Sequence, residues 1–395
     1  MQATGQKSVV SRQGPLWLVA TDGLLAPIGS ERLMSRPPNA IDFWRGFALV
    51  SIFINHIPGV TYEVMTHRNF SLSDSAELFV FLAGWSLRHL VGPANDPTPI
   101  EHLFFRLSGR ALTVYAAHML IVMIAIAMLA FSARVLDNPL LLEWHNAAAV
   151  FSNPAETHVG LVLLSHQLGY FDILPLYVVL MLTAPLITLV HRVAPNWLVP
   201  ISLAIYLAAL IFKITVPTWP TEGQWFFNPL CWQLVFVLGF TMSRQHGPGG
   251  WVRAHLSKIR LVAVPIVLVG AVMVITGWRL DPTRVPEPKL LFINGKTFVT
   301  PMRLIQFLAL IAVFSAAYPV IARAVPRIVG FLAGLGRNSL YVFCTGSILS
   351  LAGQILRFYL GGGLFVDTVL VTVGIAVLGA VAWVAEWRDR IKKPA

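Results

Sequence analysis

Stretches of roughly twenty apolar residues succeed one another along the chain, and a helix of that length crosses the ~30 Å hydrocarbon layer of a bilayer. They lie near 41–60, 75–92, 108–132, 170–190, 197–214, 229–243, 260–278, 302–322, 338–358 and 365–385. In lipid every backbone polar group must be satisfied within the chain, so such stretches become helices. The predicted fold is therefore all-α: a polytopic membrane protein with about ten transmembrane helices. Composition agrees, with 56% hydrophobic and 12% charged residues, against about 25% charged in soluble domains. The stretch near 229–243 is the shortest. Longer connections are expected at 134–168, polar and aromatic, and at 279–300, rich in proline. No internal repeat is evident, so the spans read as one domain, 39–387. Residues 1–38 read as a cytosolic N-terminal extension, partly disordered or interfacial, and 388–395 as a basic cytosolic tail.

The net charge of +11 could suggest a nucleic-acid partner, but its distribution points elsewhere. With an even number of spans both termini share a side. If that side is the cytosol, nineteen Lys and Arg fall on inner segments and eight on outer ones. This is the positive-inside pattern of a membrane protein. No nucleic-acid motif accompanies it, and no nucleic-acid partner is expected.

Ionisable residues inside the apolar runs stand out, because such groups are costly in a bilayer and tend to face a polar interior. Arg45 and His56 are eleven positions apart in the first span. At ~100° and ~1.5 Å per residue they share a face and stand roughly 16 Å apart. The bland alternative is a snorkelling arginine and a satisfied core histidine. Charge counting puts Arg45 toward the cytosol and His56 toward the outside. His56 is the titratable group of this span that can act as a general base near neutral pH. Asp42 can pair with Arg45 at three-residue spacing, although a carboxylate at a helix N-terminus is also favoured by the dipole alone.

The next outer segment concentrates polar groups. Asp74 and Glu77 share a helix face where the second span begins; Ser71 or Ser73 can cap that start, and both carboxylates would suit a helix N-terminus electrostatically, an explanation adequate for Asp74. Glu77 abuts the run Leu78-Phe79-Val80, where a carboxylate could orient the His56 imidazole. His67, Arg68 and Asn69 form a dense donor set, suited to a sugar or an anion, or else a solvated turn. At the inner start of the third span, Arg106 and Arg110 are four apart. They suit a phosphate ligand, and equally a topology charge facing anionic lipid headgroups. Asp172, Tyr177, Trp232 and Gln233 are polar-capable groups in apolar runs, able to line a cavity or to hold helices together. Gly330 and Gly334 have the spacing of close helix packing. No metal is expected, since no Cys or His metal-ligand spacing occurs. Cys231 and Cys344 read as small hydrophobes.

These residues are familiar in combination. Arg45 followed by His56 resembles the signature of the acyltransferase-3 superfamily of membrane acyltransferases. Longer blocks resemble the OpgC family in particular: Ile41-Asp42-Phe43-Trp44-Arg45-Gly46-Phe47, Asn55-His56-Ile57-Pro58-Gly59, Thr66-His67-Arg68-Asn69-Phe70 and Asp74-Ser75-Ala76-Glu77-Leu78-Phe79. Further blocks are Ile173-Leu174-Pro175-Leu176-Tyr177, Phe227-Asn228-Pro229-Leu230-Cys231-Trp232-Gln233 and Leu335-Gly336-Arg337-Asn338-Ser339-Leu340-Tyr341. One departure is the absence of a proline after the basic motif of the third span, where the chain reads Arg110-Ala111-Leu112-Thr113.

The resemblance implies a bacterial inner-membrane O-acyltransferase, with 39–387 as its transmembrane acyltransferase domain. It would move a succinyl group from cytosolic succinyl-CoA, an acyl-CoA co-substrate, to hydroxyls of a periplasmic glucan. No bound cofactor is implied. His56 would be the base, with Arg45, Glu77 and Asp74 completing the catalytic set. Arg45, Arg106 and Arg110 would hold the CoA phosphates. His67, Arg68, Asn69, Asp172, Tyr177, Trp232 and Gln233 would line the substrate site. Membrane lipid is the remaining expected partner. Two other readings stay open: a proton-coupled transporter or flippase that uses the same His and carboxylates as a relay, and an acyltransferase acting on another lipid or polysaccharide.

Overall fold

A computed structural model describes residues 37–391 apart from 95, 97 and 246. The expected extension therefore lies outside the described residues up to position 36, as does the tail from 392. The described residues contain helices and no β-strand.

The first helices, with the connections between them, run α1 Ala40–Asn55, α2 Ser75–Val91, α3 Ile100–Val135, α4 Ala148–Ser152 and α5 Pro154–Val162. Next come α6 Ile173–Val193, α7 Leu198–Ile211, α8 Pro229–Met242, α9 Pro248–Ala254 and α10 Leu256–Ile275. The chain ends with α11 Pro301–Phe314, α12 Ala317–Ala324, α13 Pro326–Arg337, α14 Ser339–Leu360 and α15 Leu364–Ile391. By length and composition α3, α6, α10, α14 and α15 can cross a membrane. A sixth crossing forms if α11 and α12, bent by 51° at their break, are one span. Large apolar side chains such as Leu261, Leu268 and Val272 on α10 and Phe105 and Phe131 on α3 point outward. An outward-facing apolar surface of this extent suits lipid as the surrounding solvent.

Several boundaries differ from the periodicity, each for a local reason. α1 stops at Asn55, and His56 is its C-cap. Pro58 cannot continue the helix and disfavours it at Ile57, while Gly59 takes φ +74°. His56 is thus at the end of the first helix, not within it. α3 is 36 residues long and extends beyond both expected ends. With alanine and not proline after Arg110, nothing interrupts its hydrogen-bond ladder. The 134–168 connection is largely helical, with α4 and α5 preceded by a 3₁₀ segment Pro139–Asn146. α13 falls where an inner loop was expected.

Two helix pairs meet backbone to backbone, and both frame the site. α13 packs along the first half of α1. A methyl group at Gly46 would overlap the carbonyl oxygen of Leu332, and one at Gly336 that of Asp42. α2 and α8 meet in the same way through Gly84 and Gly239, facing the carbonyls of Phe236 and Phe81. Small residues permit this approach, and dispersion then acts along whole backbones. α14 packs on α1 and α15, α3 on α6, and α10 on α11. Ion pairs tie down the last helix: Arg337 to Glu386 at 2.6 Å, buried, and Arg357 to Asp367 at 2.9 Å, partly exposed. Asp367 also accepts from the backbone and hydroxyl of Thr61, tying down the segment after α1.

Candidate active site

α1 carries a polar cavity at each end. Asn39, Asp42 and Arg45 line a cavity of ≈ 700 Å³ at its N-terminal end. His56 lines a cavity of ≈ 820 Å³ at its C-terminal end. The rise of about 1.5 Å per residue sets the two roughly 16 Å apart along the axis.

The His56 cavity is built on a fixed charge network. Asp74 caps α2 through the amide of Ala76 at 2.8 Å, and Glu77 reaches back to the amide of Asp74 at 3.0 Å. This is a complete capping box, the reciprocal arrangement that satisfies two helix-end donors. The same carboxylates meet cations from distant chain. Lys296 Nζ lies 2.6 Å from Asp74, and Arg303 of α11 lies 3.0 Å from it. Arg303 Nε also donates to Glu77, which is fully buried, and its Nη1 donates to the carbonyl of Leu72 at 2.7 Å. Gln306, one turn along α11, accepts from the amide of Leu72 at 2.5 Å. Burial works against ionisation of Asp74, yet the Lys296 and Arg303 charges hold its carboxyl well below the usual carboxylate range.

His56 stands at the wall of this cavity with its ring 4.7 Å from that of Tyr170. Nδ1 is buried without a hydrogen-bond partner, so the Nε2 edge of the ring is the one that meets the cavity. The expected contact between Glu77 and the imidazole is absent. Glu77 belongs to Arg303, because a fully buried carboxylate requires a charge partner and the guanidinium supplies it.

Of the expected substrate residues, Arg68 and Asp172 line the His56 cavity, beside Lys296 and Arg303. The others do not gather there. Asn69 donates to the carbonyl of Glu63 at 2.6 Å, which holds its own turn together. His67 packs against Phe47 at 5.9 Å. Trp232 is wholly buried, and its indole donates to the carbonyl of Lys296 at 3.2 Å. It supports the segment that carries Lys296. Gln233 pairs with Ser202, its Oε1 accepting at 2.6 Å and its Nε2 donating to the Ser202 carbonyl at 2.8 Å. Tyr177 lines the other cavity, with Arg45.

In that second cavity Arg45 donates to the carbonyl of Leu82 at 3.1 Å and to the Ser86 hydroxyl at 2.5 Å, both on α2. Ser86, His89, Arg110 and Tyr177 complete the wall. Arg106 is exposed one turn before Arg110 on α3.

Lys296 and Arg303 are the main residues that the sequence reading did not assign to the site. Arg303 had a signal, a lone cation inside an apolar run, the same signal that singled out Arg45. Lys296 had none, being one basic residue in a polar loop. Among the described residues no group of three His, Cys, Asp or Glu stands close enough to hold a metal ion.

Comparison with known families matches residues 38–390 to the family described as OpgC protein. No curated protein and no solved structure matches the chain.

Proposed function

Because this chain belongs to the OpgC family, we propose that it is a membrane acyltransferase that succinylates periplasmic glucans, drawing on cytosolic succinyl-CoA. The observation that carries the reading is the pair of polar cavities at the two ends of α1, with Arg45 in one and His56 in the other. A donor that is polyanionic and an acceptor that is a sugar hydroxyl call for two sites of different character. We place the Arg45 cavity at the cytosolic face and the His56 cavity at the periplasmic face, in a chain with about ten spans and both termini inside, as the positive-inside excess supports.

Arg45 and Arg110 then meet the CoA phosphates, since guanidinium forks suit that geometry. The acyl arm reaches along α1 toward His56. There the imidazole takes the proton of an acceptor hydroxyl while its oxygen attacks the thioester carbonyl. The carbon–sulfur bond breaks, the ester forms, and CoA leaves as its thiol with the proton returned from His56. To Arg68 and Lys296, both on the wall of the His56 cavity, we assign the developing oxyanion, a role that preorganised donors fill best. The cavity wall also holds Arg279, a cation that fits an acyl group ending in a carboxylate.

The test is mass spectrometry of periplasmic glucans from cells with the wild-type chain, without it, and with His56→Ala. Succinylated glucan is expected in the first and absent in the other two, with the variant still folded in the membrane. Normal succinylation by His56→Ala would refute the role of His56, and unchanged glucans in cells lacking the chain would refute the acceptor.

A further inference from the structure

His56 caps its helix: its amide still donates to the Ile52 carbonyl at 2.9 Å, but no following turn holds its carbonyl or its ring. Those are met by three other segments. The Nε2 amide of Gln354, on α14, donates to the His56 carbonyl at 2.6 Å. The Oε1 of the same side chain lies 2.7 Å from His145 Nε2. A glutamine whose nitrogen is committed to a carbonyl presents only an acceptor at its oxygen, so His145 carries its proton on Nε2. His145 in turn stands edge-on to Tyr170, centroids 5.1 Å apart at 73°. Tyr170 rests against the His56 ring, and the circuit returns to its start.

The backbone that presents this set is strained. His145, Asn146 and Tyr170 are non-glycine residues with φ of 57°, 64° and 66°. Such conformations persist where the surroundings over-determine them, and they gather at functional sites. Here the surroundings are explicit. The Gly169 amide donates to the His145 carbonyl at 2.9 Å, Asn146 donates to the Gln167 carbonyl at 3.2 Å, and His166 Nε2 lies 3.1 Å from the Asn146 carbonyl. The two loops are sewn together beside His56, where the Tyr170 ring meets its imidazole.

We propose that His145, Tyr170 and Gln354 are positioning residues for the His56 imidazole. Gln354 fixes its main chain, Tyr170 backs its ring, and His145 ties one to the other. The proposal rests on the reading of His56 as the base, and goes beyond it by naming what aims that base at the acceptor.

The experiment measures succinyl transfer from succinyl-CoA to glucan with the purified full chain. Gln354→Leu and His145→Leu should each lower kcat at least tenfold with both KM values little changed. His145→Gln, which can still donate from an amide nitrogen, should recover most of that loss. Tyr170→Phe, which keeps the ring, should stay near wild type, and Tyr170→Leu should not. Added to His56→Ala, Gln354→Leu should cost nothing further. If Gln354→Leu does not fold, the His145→Leu and His145→Gln pair decides alone. Wild-type kcat in a folded His145→Leu, or a loss that His145→Gln fails to recover, would overturn the proposal. A fully active His56→Ala would instead overturn the base itself, so the two failures are distinguishable.

Discussion

The two ends of α1 are solved differently. At the His56 end, acids and bases from α2, α11 and the 279–300 connection are paired with one another: Asp74 with Lys296 and Arg303, and Glu77 with Arg303. At the Arg45 end the guanidinium is braced by a carbonyl and a hydroxyl of α2, and Arg110 stands exposed on α3. The first end is a rigid frame whose charges are mostly spent on each other. The second sets an exposed cation, Arg110, on the cavity wall beside Arg45. Such a contrast suits a reaction centre that must not move and a docking site for a large, charged, exchangeable donor.

The sharpest way to break this contrast is to open the frame. Arg303→Met leaves Glu77 fully buried without its cation. Removing one partner of a buried pair costs about 3–5 kcal/mol, so little folded protein should survive size-exclusion chromatography in detergent. Adding Glu77→Met should restore much of the folded yield, because an apolar pair needs no compensation. Equal yields from the single and double variants would show that the network does not hold the fold.

His56→Ala tests chemistry without architecture. The imidazole makes no side-chain hydrogen bond through Nδ1, so the melting temperature should barely change. Turnover should fall about 10²–10⁴-fold, the usual contribution of a general base. A large drop in melting temperature would move His56 into the frame. At the opposite end, Arg45→Ala should raise the KM for the acyl donor by roughly tenfold to a hundredfold, the worth of a hydrogen bond to a charged group. The KM for glucan should stay put. The reverse outcome would exchange the assignments of the two cavities.

The smallest effect concerns pH. Asp74 has a folded pKa below its unfolded one. Its stabilisation is therefore complete above the unfolded value of about 3.9 and is lost as pH falls toward the folded value. The gap in melting temperature between wild type and Asp74→Asn should be constant from pH 8 to 5 and narrow only below about pH 4. A gap that closes near pH 6 would mean that Lys296 and Arg303 do not hold the carboxylate as drawn.

Legibility in the sequence differed by residue. Ser71 or Ser73 was expected to cap α2 with Asp74 favoured there electrostatically, and Asp74 is itself the cap, bonded to neighbours two and three positions away. Arg45 and His56 were read as one face of one helix, and the structure places them on separate cavities at its two ends. Glu77 was read toward His56 but turned to Arg303, a partner more than two hundred positions away that spacing cannot reveal. Trp232 and Gln233 resembled site residues and serve as supports behind it. Of their family block, Phe227 lines the His56 cavity while Trp232 and Gln233 stand behind it.

The sequence by itself determined the helical character, the apolar stretches and the family, because these depend on local periodicity and composition. Where the helices end was already harder, as Pro58 cutting α1 at His56 shows. Only the tertiary structure decided which charges meet, that α13 lies against α1, and that His145, Tyr170 and Gln354 converge on His56. Ion pairs and ring contacts act over a few ångströms between segments that are hundreds of residues apart along the chain, and nothing in the order of residues encodes that distance until the helices have packed.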